Sequence, residues 1–385
     1  MQYRFKPRQT SPTARPDRTS QSGRRPWRLS RRRLASFLAS AAVLAFLLSA
    51  CGGSSSSASK SSSSTKAASS AAAPSTSAAP SSGCHGHISH LTVAGVGITT
   101  DGIIPFGTAK GFFAAHCVSV SRTTVASPAA ALADLIGGSV DIAYSPSIPI
   151  VNFLSKGAPL RVLAPADGEP TPAQLATPQY KTYQDLTGIF VPKGSKLKSP
   201  VSLEGQTVPV PALKAQLQVV ASWALKKAGA DPSKVNWVVL DFPTALAELN
   251  AGKVAAAGLT YPFSASAVAH GARLLLGDDV PFFGASSAVG MWVTTASRWA
   301  TDAKALAGFR AAVIQTNAYA NTHFSQFAPY ASQVTSISTA TIAKSSYDIY
   351  FPTTVTTQDL ARVASNMVYA GFLPRAPSLS GVVLP

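Results

Sequence analysis

Several kinds of chemistry have nothing to stand on in this sequence. No Gly-x-Ser-x-Gly occurs in a strand-turn-helix setting, so a nucleophile-elbow hydrolase is excluded. No glycine-rich phosphate loop is present, and no carboxylate pair is spaced for acid–base work. His270 and His323, the candidate bases for a hydrolase, have no supporting motif around them. Cysteine is sparse, at 3 residues in 385, and acidic residues are few, with 16 Asp and Glu against 33 Lys and Arg.

The formal charge of +17 invites a nucleic-acid partner until it is located. Residues 1–50 hold 11 basic side chains against Asp17 alone, and Lys60 and Lys66 lie in a serine-rich stretch. The rest of the chain carries only about +5, with no basic run. A mildly basic body without a patch excludes a polyanion partner.

What is present begins with an export device. An arginine cluster (Arg31-Arg32-Arg33) precedes residues 34–50, seventeen uncharged and mostly apolar positions ending in small residues. That order is the layout of a secretory signal peptide, although a run of this length is also near the lower edge of a membrane span. Leu48-Ser49-Ala50-Cys51 resembles a bacterial lipobox, which implies cleavage before Cys51 and lipidation of its thiol. Ser30-Arg31-Arg32-Arg33-Leu34 fits twin-arginine export as well as an ordinary basic leader. Residues 52–83 are nearly all Ser, Ala, Thr, Gly and Pro. Such a composition cannot offset its ordering entropy by burial, so we expect a flexible tether spanning roughly 30 Å.

Cys84 and Cys117 remain, an even pair in an oxidising compartment, each just before an expected strand. A disulfide, two free thiols, or a metal site with His85, His87, His90 and His116 all stay open. The spacing of the histidines and the lack of a supporting carboxylate favour the disulfide, and no metal or cofactor is expected.

From residue 88 the sequence alternates strands and helices. We expect strands at 88–95, 118–125, 141–144 and 159–165, with helices at 102–116, 128–137 and 146–156. A second block follows: strands at 186–192, 207–210, 235–240, 255–259 and 273–276, with helices at 212–228, 244–250 and 263–270. Residues 286–295 read as a strand returning to the first block, ahead of a helical tail from 299. Alternation of this kind means α/β lobes with parallel-type sheets. Lobe 1 is expected at 84–190 plus 286–385 and lobe 2 at 191–285, joined by two crossing strands. Hinge motion is expected near Ile189-Phe190-Val191 and Ala288-Val289-Gly290.

These stretches resemble a known family. Ala109-Lys110-Gly111-Phe112-Phe113, the run Ala131 through Ala143, Ile189 through Ser195, and Leu203 through Pro211 are similar, in order and spacing, to the SsuA/THI5-like group. Those are type II periplasmic binding proteins for nitrate, sulfonates, taurine and thiamine precursors. The resemblance implies the type II fold and an extracytoplasmic solute-binding subunit of an ABC importer, with a permease as partner and no enzymatic activity. It departs at Ala255, where the family usually has Asp, and at Tyr261, where Glu is frequent.

Ligands in open α/β sheets bind beyond the carboxyl ends of strands. The candidate binding residues are therefore Thr99 and Thr100 after the first strand, and Tyr144, Ser145 and Ser147 after the third. Lobe 2 would add Leu213 and Lys214 at a helix start, and Thr260, Tyr261 and Phe263 after a later strand. Asp101 reads more as a helix cap than as a ligand-binding group. Helix N-termini and the mild positive charge point to an anionic solute; Tyr261 and Phe263 point to a ring. We expect a monomer held by lipid on the outer face of the cytoplasmic membrane. A secreted enzyme of the same fold, resembling pyrimidine synthases or a hydrolase, and a solute sensor are the rival readings.

Overall fold

The computed structural model describes residues 84, 87–178, 180, 187–261, 263–277, 279–344 and 349–385. The leader, Cys51 and the tether lie outside the described residues. No helix among the described residues is long and apolar enough to cross a membrane.

The first sheet has five strands in the order β2-β1-β3-β10-β4. They are β1 (Ser89–Gly95), β2 (Val118–Thr124), β3 (Ile142–Pro146), β4 (Leu160–Gly168) and β10 (Ala288–Thr295). β1 pairs in parallel with β2 and β3, while β10 runs antiparallel between β3 and β4. The second lobe holds β5 (Gly188–Val191), β6 (Thr207–Val210), β7 (Asn236–Val239), β8 (Ala257–Leu259) and β9 (Arg273–Leu276). Here β5 lies between β8 and β9, antiparallel to both, and β6 pairs in parallel with β7. A Cβ added at Gly258 would come 2.9 Å from Val210 Cγ1, so β6 runs against β8. In each lobe the strand that arrives from the other lobe is the antiparallel one. The sheets are therefore mixed rather than purely parallel, because a crossing strand enters from the opposite end.

Both faces of the first sheet are covered. Trp292 of β10 is fully buried and packs edge-on to Tyr144 and Phe309, with ring centroids 5.7 and 6.0 Å away. The helix Ala296–Thr322 supplies Phe309, Ala312 and Val313 to that core. The helix Thr357–Ala370 ties the lobes at the back. Its Asn366 accepts from Trp223 Nε1 at 3.1 Å and donates to the Phe282 carbonyl at 2.7 Å.

Four boundaries differ from expectation for local reasons. The expected helix 102–116 is broken into a 3-10 turn (Thr99–Gly102) and helices Ile103–Ala109 and Phe112–Ala115. Gly111 between the helices takes φ 76°, a left-handed conformation that breaks the helix. The helix expected at 212–228 starts only at Gln216, because Lys214 takes φ 60° in the preceding turn. β3 runs on to Pro146, and β4 runs past Pro165 to Gly168. β4 is an edge strand, where the missing N–H of a proline is tolerated.

Cys84 and Cys117 are joined by a disulfide with a Cα–Cα distance of 5.4 Å. Two of the neighbouring histidines are otherwise engaged: His90 contacts the Ser119 and Ser121 hydroxyls at 3.1 Å each, and His116 contacts Gln315.

Candidate functional site

One edge of the first sheet gathers the carboxyl ends of β1, β3 and β4 and the start of β10. The register places Gly290 opposite Pro146 on one side and beside Asp167 on the other. Asp167 is the centre of this edge. Its Oδ2 accepts from Thr100 Oγ1 at 2.7 Å and from Tyr144 Oη at 2.9 Å, and its Oδ1 accepts from the Gly290 N–H at 2.9 Å. Three separate strand ends thus converge on one carboxyl. A Cβ at residue 290 would lie 2.6 Å from both Asp167 oxygens, so glycine is what leaves the carboxyl its place.

Asp101 is the second carboxyl at this edge and is fully buried. Its Oδ2 accepts from the Gly97 N–H at 2.7 Å and lies 3.5 Å from Arg122. It secures the loop after β1 rather than capping the following helix, whose N-cap residue is Gly102 with no side-chain bond. A Cβ at Gly95 would sit 2.4 Å from Asp101 Oδ2, the same device used at Gly290. Ser147 Oγ is buried with no hydrogen-bond partner, whereas the Asp101 carboxyl is held by the loop N–H groups of Val96, Gly97 and Ile98. An unpartnered buried oxygen is costly and calls for an explanation.

Loss of water dominates the electrostatics. Burial pushes the Asp101 carboxyl up to about 6, against the pull of the Gly97 N–H and the Arg122 guanidinium. The Asp167 carboxyl is enclosed by its partners, and desolvation raises it too, outweighing its bonds from Thr100, Tyr144 and Gly290. Tyr144 is held well above the ordinary phenol range by burial and by the charge of Asp167.

The expected site residues divide by lobe. Thr100 and Tyr144 converge on Asp167, and Thr99 is partly buried on the same turn. Ser145 is buried with its hydroxyl on the Pro146 carbonyl, and Ser147 begins the helix Ser147–Ser155. In lobe 2, Leu213 is 49% exposed, and Lys214 is exposed with its carbonyl accepting from Asn152 Nδ2 at 3.3 Å. Thr260 shares a hydroxyl–hydroxyl bond of 2.8 Å with Thr187. Tyr261 reaches across to donate to the Thr341 carbonyl, so it ties lobe 2 to the helix Thr339–Lys344. Phe263, partly buried, stacks on Phe242 at 5.3 Å against the lobe 2 core. Asp167 and Gly290 were missing from the sequence-based site. The Asp-Gly pair ending β4 was the available signal.

The profile of the NMT1/THI5-like family matches residues 103–323, more than half of the chain. The chain belongs to this family. No curated protein sequence matches it significantly. Solved structures share the fold of this NMT1/THI5-like chain at low identity. The periplasmic aliphatic sulphonate binding protein SsuA from Escherichia coli is 16% identical with a TM-score of 0.61, over 77% of this chain and 92% of its own. The periplasmic nitrate-binding protein NrtA from Synechocystis PCC 6803 is 15% identical with a TM-score of 0.58, over 74% and 83%. The desulfurization enzyme DSZB is 14% identical with a TM-score of 0.52, over 77% and 96%. The periplasmic-binding-protein fold therefore serves binding proteins and at least one enzyme.

Proposed function

We propose that this NMT1/THI5-like protein is the extracytoplasmic solute-binding subunit of an ABC importer, holding a small organic solute between its lobes and passing it on unchanged to a permease. The convergence of Thr100, Tyr144 and Gly290 on Asp167 at the carboxyl ends of the sheet carries this reading. It prepares a polar floor where a solute in an α/β lobe is held, with the geometry already fixed. Lipid on Cys51 and the serine-rich tether would keep the protein near its permease while its body samples the surrounding space.

The enzyme reading finds less support. His270 bonds its own helix at the Ser266 carbonyl, 2.8 Å away, and His323 stacks on Tyr319 at 3.9 Å. Neither is positioned by a carboxylate against a nucleophile, as acyl-transfer chemistry needs.

Two experiments test the proposal. Labelled palmitate should enter the wild type and not Cys51→Ala. A panel of small solutes should contain compounds that raise the melting temperature in proportion to the logarithm of their concentration and return unaltered. Catalytic turnover of any of them would refute the transport reading.

A further inference from the structure

We propose that the end of lobe 2 opposite Thr260 and Tyr261 is a lysine-lined surface that rests on the anionic phospholipid headgroups of the membrane to which Cys51 is tied. The inference goes beyond solute binding and rests on the anchor proposed at Cys51.

The fold assembles this surface from three separate segments, which is why no basic run in the sequence announces it. β5 ends at Val191 and leads into Pro192 and Lys193. Antiparallel to it, β9 begins at Arg273 just after His270 and Gly271, and β8 begins at Ala257 just after Lys253. Thr260 and Tyr261 follow the other end of β8. Lys193, Gly252 and His270 line an open hollow of about 240 Å³ here. The stem of Lys193 crosses Gly271 so closely that a Cβ added there would come 2.9 Å from Lys193 Cδ.

The loop after Lys193 turns two more lysines outward. Gly194 takes φ 76°, and the Ser195 N–H closes the turn on the Pro192 carbonyl. Leu197 packs on the core and accepts from Arg273 at its carbonyl. Half-buried Ser195 and Leu197 therefore alternate with exposed Lys196 and Lys198. Lys193 and Lys253 are exposed as well, and among the described residues none of these four lysines takes part in an ion pair. Lys253 and His270 have a local reason to be cationic, since each follows the carbonyl end of a helix, Phe242–Asn250 and Phe263–Ala269. The three lysines of the 193–198 loop follow a strand, so no helix dipole accounts for them. Like charges gathered without counter-charges repel, and an anionic surface relieves that repulsion.

Two exposed apolar side chains favour a bilayer over a dissolved anion. Val201 and Val268, 44% and 49% exposed, stand three residues after Lys198 and two before His270. Lysines with apolar neighbours suit the boundary between headgroups and acyl chains. Each lysine contributes weakly, but a body already tethered to the membrane meets it at a high effective concentration. A body so placed turns Thr260 and Tyr261 away from the bilayer.

The test uses the protein isolated from the membranes of the expressing bacterium. It is reconstituted by its own anchor into vesicles of phosphatidylcholine, alone or mixed with phosphatidylglycerol, and its lysines are acetylated by a water-soluble reagent. Phosphatidylglycerol should slow the acetylation of Lys193, Lys196, Lys198 and Lys253 by about tenfold, and high salt should restore it. Lys156, exposed on lobe 1, should react alike on both vesicles. Combining Lys193→Gln, Lys196→Gln and Lys198→Gln, all exposed and tolerable to the fold, should abolish the protection of Lys253. Equal reactivity on the two vesicles overturns the inference and leaves the anchor and the solute-binding reading intact. Protection that requires a copurifying membrane protein rather than the acidic lipid also overturns it, since the face is then a protein interface. Failure to associate with either vesicle overturns the inference and the anchor together.

Discussion

The two lobes have very different strand ends. Lobe 1 offers two carboxyls, each seated against a glycine and drawing donors from β1, β3, β4 and β10. Lobe 2 offers Leu213 and Lys214 exposed in a turn, Thr260 bonded within its own lobe, and Phe263 stacked against its own core. Chemistry is concentrated on the lobe whose sheet is continuous, where five strands fix the positions of the groups. The other lobe supplies, through Tyr261, a link to the helix Thr339–Lys344. The convergent polar groups are thus gathered on one half.

The division can be broken most forcefully by pH. Asp101 has a folded-state pKa near 6 against an ordinary 3.8. An acid whose pKa rises on folding binds its proton more tightly when folded. Its contribution therefore favours the folded state below about pH 4 and is lost as the pH climbs through about 6, a swing of about 3 kcal/mol. Asp167 shifts in the same direction. The ionisable groups facing Asp101 are Arg122 on β2 and Tyr144 on β3, while the overlying helix Phe324–Thr335 brings only Tyr330 as an ionisable side chain. Denaturant titrations of Asp101→Asn across this range should show a flatter pH dependence than the wild type. An unchanged slope would mean that the lobe 1 edge is not desolvated.

Gly290→Ala comes next. The added methyl would meet the Asp167 carboxyl at 2.6 Å, and overpacking of this kind costs about 1–3 kcal/mol. It should also displace Asp167 and weaken solute binding. In lobe 2 the comparable backbone change has the opposite sign. Lys214→Gly relieves a left-handed lysine at φ 60° and should stabilise by about 1 kcal/mol without altering solute preference. Chemical denaturation and probe titration on both variants read the contrast directly. Smallest of all, Leu213→Ala on the exposed lobe 2 turn should change stability by less than about 0.5 kcal/mol. A large loss of solute affinity there would move recognition to lobe 2.

Much of the fold was legible because hydrophobic periodicity and the strand-helix alternation are local signals. All ten strands were anticipated, most within a few residues. What escaped depended on neighbours far along the chain. β4 was cut short at Pro165, since nothing in the sequence tells that its proline lies on a sheet edge; Asp167 was lost with the last turn of that strand. Asp101 was weighed only as a helix cap, whereas its role follows from Gly95, Gly97 and Arg122 meeting it in space. Gly290 was noticed as a crossing point and not as the seat of a carboxyl 123 residues earlier. For Phe263, an aromatic at a strand end is as good a core residue as a wall, and its stack with Phe242 is not legible locally. The mild positive charge of the body and the helix N-termini, finally, pointed to an anionic solute, whereas the strand ends of the first sheet carry two carboxyls, Asp101 and Asp167.

The most direct measurement is native mass spectrometry of the protein purified without refolding, wild type beside Asp167→Asn. A small organic compound retained by the wild type and lost from the variant is the predicted outcome. One solute held equally by the two proteins would contradict the proposal that it is held at Asp167.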